Sequence, residues 1–160
     1  AHAKPGEAIS VLELTKDHVL SNAEEAARVE QWGGVVEPLV VAGTPVGPPR
    51  AWFPDRSGPG VMVSRSLGDR KAKRIGVVAE PDVTSISTSE LAFIVVASDG
   101  LWETFTSAEA VGFVAAQLAR AAPDKVVSEM LILEAQRRWM QLEGGVMDDV
   151  SAVVVSFVQA

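Results

Sequence analysis

The order of elements written into these 160 residues predicts a layered α+β fold. Strand-like apolar runs fill the middle and the C-terminal end, helical stripes with their own start signals lie near both ends, and no repeat or low-complexity tract interrupts them. Strands grouped apart from helices point to layers, whereas strict alternation would point to parallel βαβ units. A chain of this length, 48% hydrophobic, is expected to form about one domain and to bury about 70% of its unfolded surface.

Composition narrows the function classes. The net charge of −7 argues against the broad basic footprint of a nucleic-acid binder. With no cysteine a disulfide scaffold is excluded, and an intracellular setting, cytoplasmic or nuclear, is expected. No apolar run approaches the roughly 18 residues of a membrane span, and Ala1-His2-Ala3-Lys4-Pro5 lacks the basic-then-apolar order of a signal peptide. No membrane partner is expected.

Taken in order, Ile9-Ser10-Val11-Leu12-Glu13-Leu14 alternates like a strand. Ser21 or Asn22, with Glu24 or Glu25 three residues on, has capping-box spacing. The helix that follows ends at Gly33-Gly34, with Ala26, Val29 and Trp32 as its apolar face. Val35-Val36-Glu37 and Leu39-Val40-Val41 are strand-like, and Pro38 between them requires an edge or a bulge. Gly43-Thr44-Pro45-Val46-Gly47-Pro48-Pro49 reads as a stiff surface loop, Ala51-Trp52-Phe53 as a short strand and Pro54-Asp55-Arg56-Ser57-Gly58-Pro59 as a turn.

Val61-Met62-Val63-Ser64-Arg65-Ser66 should be a further strand. The basic cluster after it, Arg70, Lys71, Lys73 and Arg74, reads as a solvated helical turn in preference to a steering patch for a phosphorylated partner. Val83-Thr84-Ser85-Ile86-Ser87 is expected to be an outer strand. Thr106 with Glu109 forms a second capping box, and Val111, Val114, Ala115 and Leu118 share the stripe of the helix it starts. Pro123 opens a last helix with Val127, Met130, Leu131, Ala135, Trp139 and Leu142 on its buried face and Gly144-Gly145 as its stop. Trp139 is read there as core, not as a ligand contact.

The chemistry concentrates at two strands. Phe93-Ile94-Val95-Val96-Ala97-Ser98 is uncharged and reads as a buried strand, with Ser98-Asp99-Gly100 as the turn at its exit. Asp148-Asp149 stands at the entrance of Ala152-Val153-Val154-Val155-Ser156-Phe157-Val158. If the two strands pair antiparallel, exit and entrance share one rim and Asp99 meets Asp148. Two carboxylates about 5 Å apart repel by roughly 3 kcal/mol at an effective dielectric near 20, so the arrangement calls for a cation or a raised pKa. Oxygen-only ligands favour Mg or Mn over zinc, and His2 and His18 are distant in sequence. Taken alone, Asp-Gly after a strand is simply a turn.

Six collinear stretches carry a resemblance: Leu14-Thr15-Lys16-Asp17-His18; Glu24-Glu25 with Arg28 and Gly33-Gly34; Pro59-Gly60-Val61-Met62-Val63-Ser64-Arg65-Ser66-Leu67-Gly68-Asp69; Ala79-Glu80-Pro81-Asp82-Val83; Ala97-Ser98-Asp99-Gly100-Leu101-Trp102-Glu103; and Asp148-Asp149-Val150-Ser151. In these the chain resembles the metal-dependent protein phosphatase family, protein phosphatase type 2C. The resemblance implies a sandwich of two antiparallel sheets flanked by helices, in α-β-β-α layers, of which residues 1–160 supply the C-terminal portion of a single catalytic domain. It implies Mg or Mn as cofactor, two ions in the complete domain with a weaker third, and hydrolysis of phosphoserine and phosphothreonine in proteins.

By the same resemblance Asp99 and Asp148 match metal ligands, and Glu103 matches the acidic position that helps hold the third metal, where the family usually has Asp. Asp149 stands where the family has Asn and is not counted as a ligand. The family's phosphate-gripping Arg stretch, its Asp-Gly-His motif and its Gly-Asp-Ser-Arg motif are missing from this sequence. The expected partners are therefore a phosphoprotein substrate and an N-terminal half of the same domain, without which little activity is expected. The alternative is a non-catalytic phosphatase-like binding or scaffold module.

Overall fold

Regular structure in the computed structural model, which describes residues 10–58, 60–142 and 147–157, begins at Ala23. Residues 1–9, Pro59, the Gly144-Gly145 stop and Val158 lie outside the described residues. The chain divides into two compact units, Thr15–Thr84 and the pair Ala1–Leu14 with Ser85–Ala160. No helix among the described residues is long and apolar enough to cross a membrane.

In the unit of residues 15–84, Asn22 caps helix α1 (Ala23–Gln31) by accepting the Glu24 N–H at 3.0 Å, which satisfies a donor the helix cannot. The chain then turns through Gly33 at φ +82°. Gly34 is glycine for a different reason, since a Cβ there would lie 2.6 Å from Val29 Cγ1. Val29 is fully buried as expected, while Trp32 is 59% exposed and not part of the apolar face.

Strands β1 (Val35–Val41) and β2 (Thr44–Trp52) pair antiparallel from Val41–Thr44 back to Val35–Trp52. The stretch expected to be a loop is thus strand β2. Two residues with positive φ, Ala42 and Gly43, make the tight turn whose twist suits a hairpin. The prolines are accommodated by a break in register: Pro38 faces residues 47–49 between the Glu37–Arg50 and Leu39–Val46 pairs. Pro38 therefore sits at a bulge, as a residue without an N–H must.

The strand expected over residues 61–66 is instead a run of single bridges to three neighbours, Val61 to Ala51, Val63 to Val19 and Arg65 to Val78. A 3₁₀ turn, Ala72–Ile75, follows. Leu20, Val29, Ala51, Ala72, Ile75 and Val77 form the core of this unit, and each fully buried Val or Leu contributes about 1.5–3 kcal/mol.

The unit containing residues 85–160 is built on strands β3 (Phe93–Ala97) and β4 (Ala152–Ser156), paired antiparallel from Phe93–Ser156 to Ala97–Ala152. Between them come α2 (Asp99–Trp102), α3 (Ser107–Leu118) and α4 (Asp124–Trp139). The Thr106/Glu109 capping box at the start of α3 forms in full. Phe93, Leu101, Phe105, Val111, Val114, Val127, Leu131, Ala135 and Val154 make the core of this unit. Leu142, expected on the buried face of the last helix, is 49% exposed.

Helix α4 also seals the free edge of β4. Ser128 Oγ accepts the Val154 N–H at 3.0 Å and Asp124 accepts the Ser156 N–H at 2.8 Å, so these edge donors are closed to another strand.

Two expected strands do not form. Among the described residues 10–14 only Ser10 lies in a bridge, and the segment is tied by a side chain instead, with Ser107 Oγ donating to Glu13 Oε1 at 2.8 Å. Residues 83–87 have no regular structure, and Val83 is 84% exposed. With no partner strand beside it, alternation alone does not make a strand. What remains is a mixed α+β fold with two antiparallel sheets and helices.

Candidate metal centre

The β3–β4 pairing brings the exit of one strand beside the entrance of the other. Beyond the last ladder pair the Ser98 N–H donates to Ser151 O at 2.9 Å. Ser98 Oγ donates to Asp149 O at 3.1 Å and accepts the Ser151 N–H at 3.0 Å. One short side chain thus stitches the two segments together where the ladder stops.

The residues after Ser98 are not the open turn that the sequence implies. Asp99 is the first residue of the one-turn helix α2, and Glu103 closes it, its N–H donating to Asp99 O at 2.8 Å. Gly100 has no positive φ; its role is closeness. A Cβ at this position would lie 2.4 Å from Asp149 O and 3.0 Å from Asp149 C. Only glycine lets the backbone of Asp148-Asp149-Val150 lie against the turn that carries Asp99.

Two indoles hold that turn, and sequence reasoning found neither role. Trp102 Nε1 donates to Ala97 O at 3.1 Å, and Trp139 Nε1, from α4, donates to Gly100 O at 2.7 Å. Trp139 is structural, as expected, but through a polar bond and not by core packing alone. Arg138 beside it donates to Thr104 O at 2.7 Å and lies over the Phe105 ring at 3.7 Å.

Asp99, Glu103, Asp148 and Asp149 are all exposed. Asp99 Oδ1 accepts the following Gly100 N–H at 3.0 Å, and Asp148 Oδ1 accepts the Asp149 N–H at 2.8 Å. Among the described residues neither carboxylate is in an ion pair. Uncompensated oxygen donors of this kind suit a hard divalent cation. The set is incomplete: among the described residues no group of three or more His, Cys, Asp or Glu side chains lies close enough to hold a metal ion. The strands therefore bring the two acidic segments to one rim without gathering Asp99, Glu103 and Asp148 into a finished ligand set.

The unit of residues 15–84 holds a polar cluster of its own that sequence reasoning missed. Glu25 is 3% exposed and is held by Arg28, Arg65 and the Ser64 hydroxyl. Arg28 at the i+3 position was a visible signal. Arg65, forty residues on, was not.

Comparison with known proteins fits this geometry. A family model described as Protein phosphatase 2C matches residues 4–141, a span that includes Asp99 and Glu103 and stops short of Asp148. Probable protein phosphatase 2C 12 of Oryza sativa subsp. japonica is 36% identical over 153 residues, covering 91% of this chain and 36% of its own length. Probable protein phosphatase 2C 8 of Arabidopsis thaliana is 30% identical over 157 residues, covering 98% and 39%.

Among solved structures, the serine-threonine phosphatase 2C from Toxoplasma gondii is similar with a TM-score of 0.71 at 26% identity, covering 91% of this chain and 46% of that one. A C. elegans sex determining protein gives a TM-score of 0.60 at 26% identity, covering 88% and 31%. The chain spans less than half the length of these relatives. It belongs to the protein phosphatase 2C family.

Proposed function

We propose that the chain is the C-terminal part of a single Mg/Mn-dependent phosphatase domain that hydrolyses phosphoserine and phosphothreonine in proteins when the rest of the domain joins it. The observation that carries this reading is the shared rim, where Gly100 packs on the Asp149 carbonyl and the Asp99 and Asp148 segments run side by side. It supports Asp99 and Asp148 as ligands of one cation, with Glu103 at a weaker third position.

When bound, such cations acidify the attacking water and neutralise the phosphoryl oxygens. The chain's own residues do the positioning. Ser98 ties the two segments together, and Trp102 and Trp139 hold the turn that carries Asp99. Glu103, one helical turn after Asp99, adds negative charge on the same short element. Asp149 contributes its carbonyl to the packing, and its carboxylate is left out of the ligand set.

The remaining ligands and the phosphate-gripping Arg belong to the N-terminal half in this reading. The outer face of β3–β4 agrees with that division. Val96, Val153 and Val155 are 61%, 56% and 44% exposed, an apolar strip that another sheet would cover. An intracellular setting, cytoplasmic or nuclear, and a phosphoprotein substrate are part of the same proposal.

The lack of a third ligand among the described residues favours a second reading, a non-catalytic phosphatase-like module. Mn-dependent hydrolysis of a phosphothreonine peptide separates the two. The chain alone is expected to turn over little or nothing, and addition of the N-terminal half of a family relative is expected to restore activity. Robust turnover by the chain alone would overturn the division of labour, and silence of the reconstituted pair would leave the module.

A further inference from the structure

The basic cluster Arg70, Lys71, Lys73 and Arg74 reads from sequence as a solvated turn, and the phosphoryl chemistry above makes no use of it. Lys73 is in fact structural, its ammonium donating to the carbonyl and the hydroxyl of Ser66. Arg70 and Lys71 are different. Both are exposed, and neither enters an ion pair among the described residues.

The two cations rim a cavity of about 260 Å³ whose walls are Ala51, Phe53, Val61 and Ile75. Ala51 and Ile75 are core residues, so the floor of the cavity is the edge of the core. The rim is shaped by consecutive left-handed residues, Gly68 at φ +92° and Asp69 at φ +42°, which turn the chain back toward the cavity. Asp69 also borders it, so the mouth carries two positive charges against one negative in a protein of net charge −7.

An apolar cavity with a locally basic mouth is complementary to an apolar side chain with acidic neighbours. Nucleic acid fits less well, because the apolar walls offer nothing polar to a base. We propose that this cavity is a docking pocket for a linear peptide segment in which one aliphatic or aromatic anchor is followed by acidic residues. The proposal is independent of the phosphatase reading, since every residue it uses lies in the unit of residues 15–84.

Gly58 provides a way to close the pocket. It borders the cavity, its φ is not in the left-handed region, and a Cβ there would meet Phe53 at an ordinary 3.6 Å. Gly58→Leu therefore fills the mouth without backbone strain.

The test is fluorescence anisotropy of the chain with a fluorescein-labelled peptide carrying a Leu-Phe anchor and a short run of glutamates between Gly-Ser flanks. Gly58→Leu and the double variant Arg70→Glu with Lys71→Glu are each expected to weaken binding about tenfold or more, the loss of one anchor or charge-assisted contact. The same loss is expected for a peptide with alanine at the anchor and for one with lysine in place of glutamate. Melting curves of both variants should match the unaltered chain; the charge reversal on exposed side chains decides the matter if Gly58→Leu does not fold. Absence of saturable binding, equal affinity in the charge-reversed variant, or equal binding of the anchor-free peptide or of a single-stranded oligonucleotide would overturn the proposal.

Discussion

Glu25→Ala is expected to destabilise the unit of residues 15–84 by about 3–5 kcal/mol, the range for removing one partner from a buried ion pair. Arg28 approaches the carboxylate through Nη1 at 2.9 Å and Nη2 at 2.6 Å, Arg65 through Nη2 at 2.7 Å, and the Ser64 hydroxyl completes the shell. Both guanidiniums reach further. Arg28 Nε donates to Gly76 O and Nη2 to Ser64 O, while Arg65 Nη1 donates to Glu80 O and Asp82. Asp82 in turn holds His18 at 2.9 Å. Removing Glu25 strands two partly buried cations and loosens five segments distant in sequence.

The pH dependence follows from the same contacts. Hydrogen bonds from Arg28, then from Arg65 and Ser64, outweigh burial and hold the Glu25 carboxyl far below the usual carboxylate range. The native state therefore binds fewer protons than the unfolded chain in this region, and stability rises with pH. The Glu25 contribution is complete above the unfolded carboxylate pKa of about 4.3 and is lost as the pH falls through the folded value. Urea titrations from neutral pH to pH 3 should show the unaltered chain losing stability progressively and Glu25→Ala losing much less. A change under about 1 kcal/mol at neutral pH would mean that the network is only a solvated surface pair.

Gly100→Ala is the second large effect. The added Cβ would lie 2.4 Å from Asp149 O, 3.0 Å from Asp149 C and 3.3 Å from Val150 Cγ2, and two of these three are backbone atoms that cannot swing aside. Overpacking of this kind costs about 1–3 kcal/mol or more. The strain acts where β3 and β4 exchange their acidic segments, so Mn binding should fall together with the melting temperature. Gly112→Ala is the control. It lies inside α3 with open space at its Cβ position, and alanine there should stabilise the helix by up to about 1 kcal/mol. Equal behaviour of the two variants would refute close approach as the reason for glycine at position 100.

Local signals were the legible ones. The Thr106/Glu109 box, the Asn22 cap and the Pro123 helix start depend on residues within one turn, and each forms. The β3 and β4 runs were legible because uncharged, β-branched stretches favour strands, but they are buried on one face only, with Val96, Val153 and Val155 exposed on the other. The β1–β2 hairpin was not, because its prolines resemble loop chemistry unless the register break that absorbs them is known. Asp99-Gly100 stands at the exit of β3 as expected, but in a one-turn helix and not in a turn that needs positive φ. A turn glycine and a glycine pressed against another segment look alike in one dimension. Glu25 was read as a cap partner; its burial depends on Ser64 and Arg65, brought in from forty residues away.

The account rests on Asp99 and Asp148 acting together on one cation, and calorimetric titration with Mn tests this most directly. The unaltered chain should bind weakly, Asp99→Ala and Asp148→Ala should each abolish that binding, and the double variant should lose nothing further. An Asp99→Ala isotherm indistinguishable from that of the unaltered chain would contradict it.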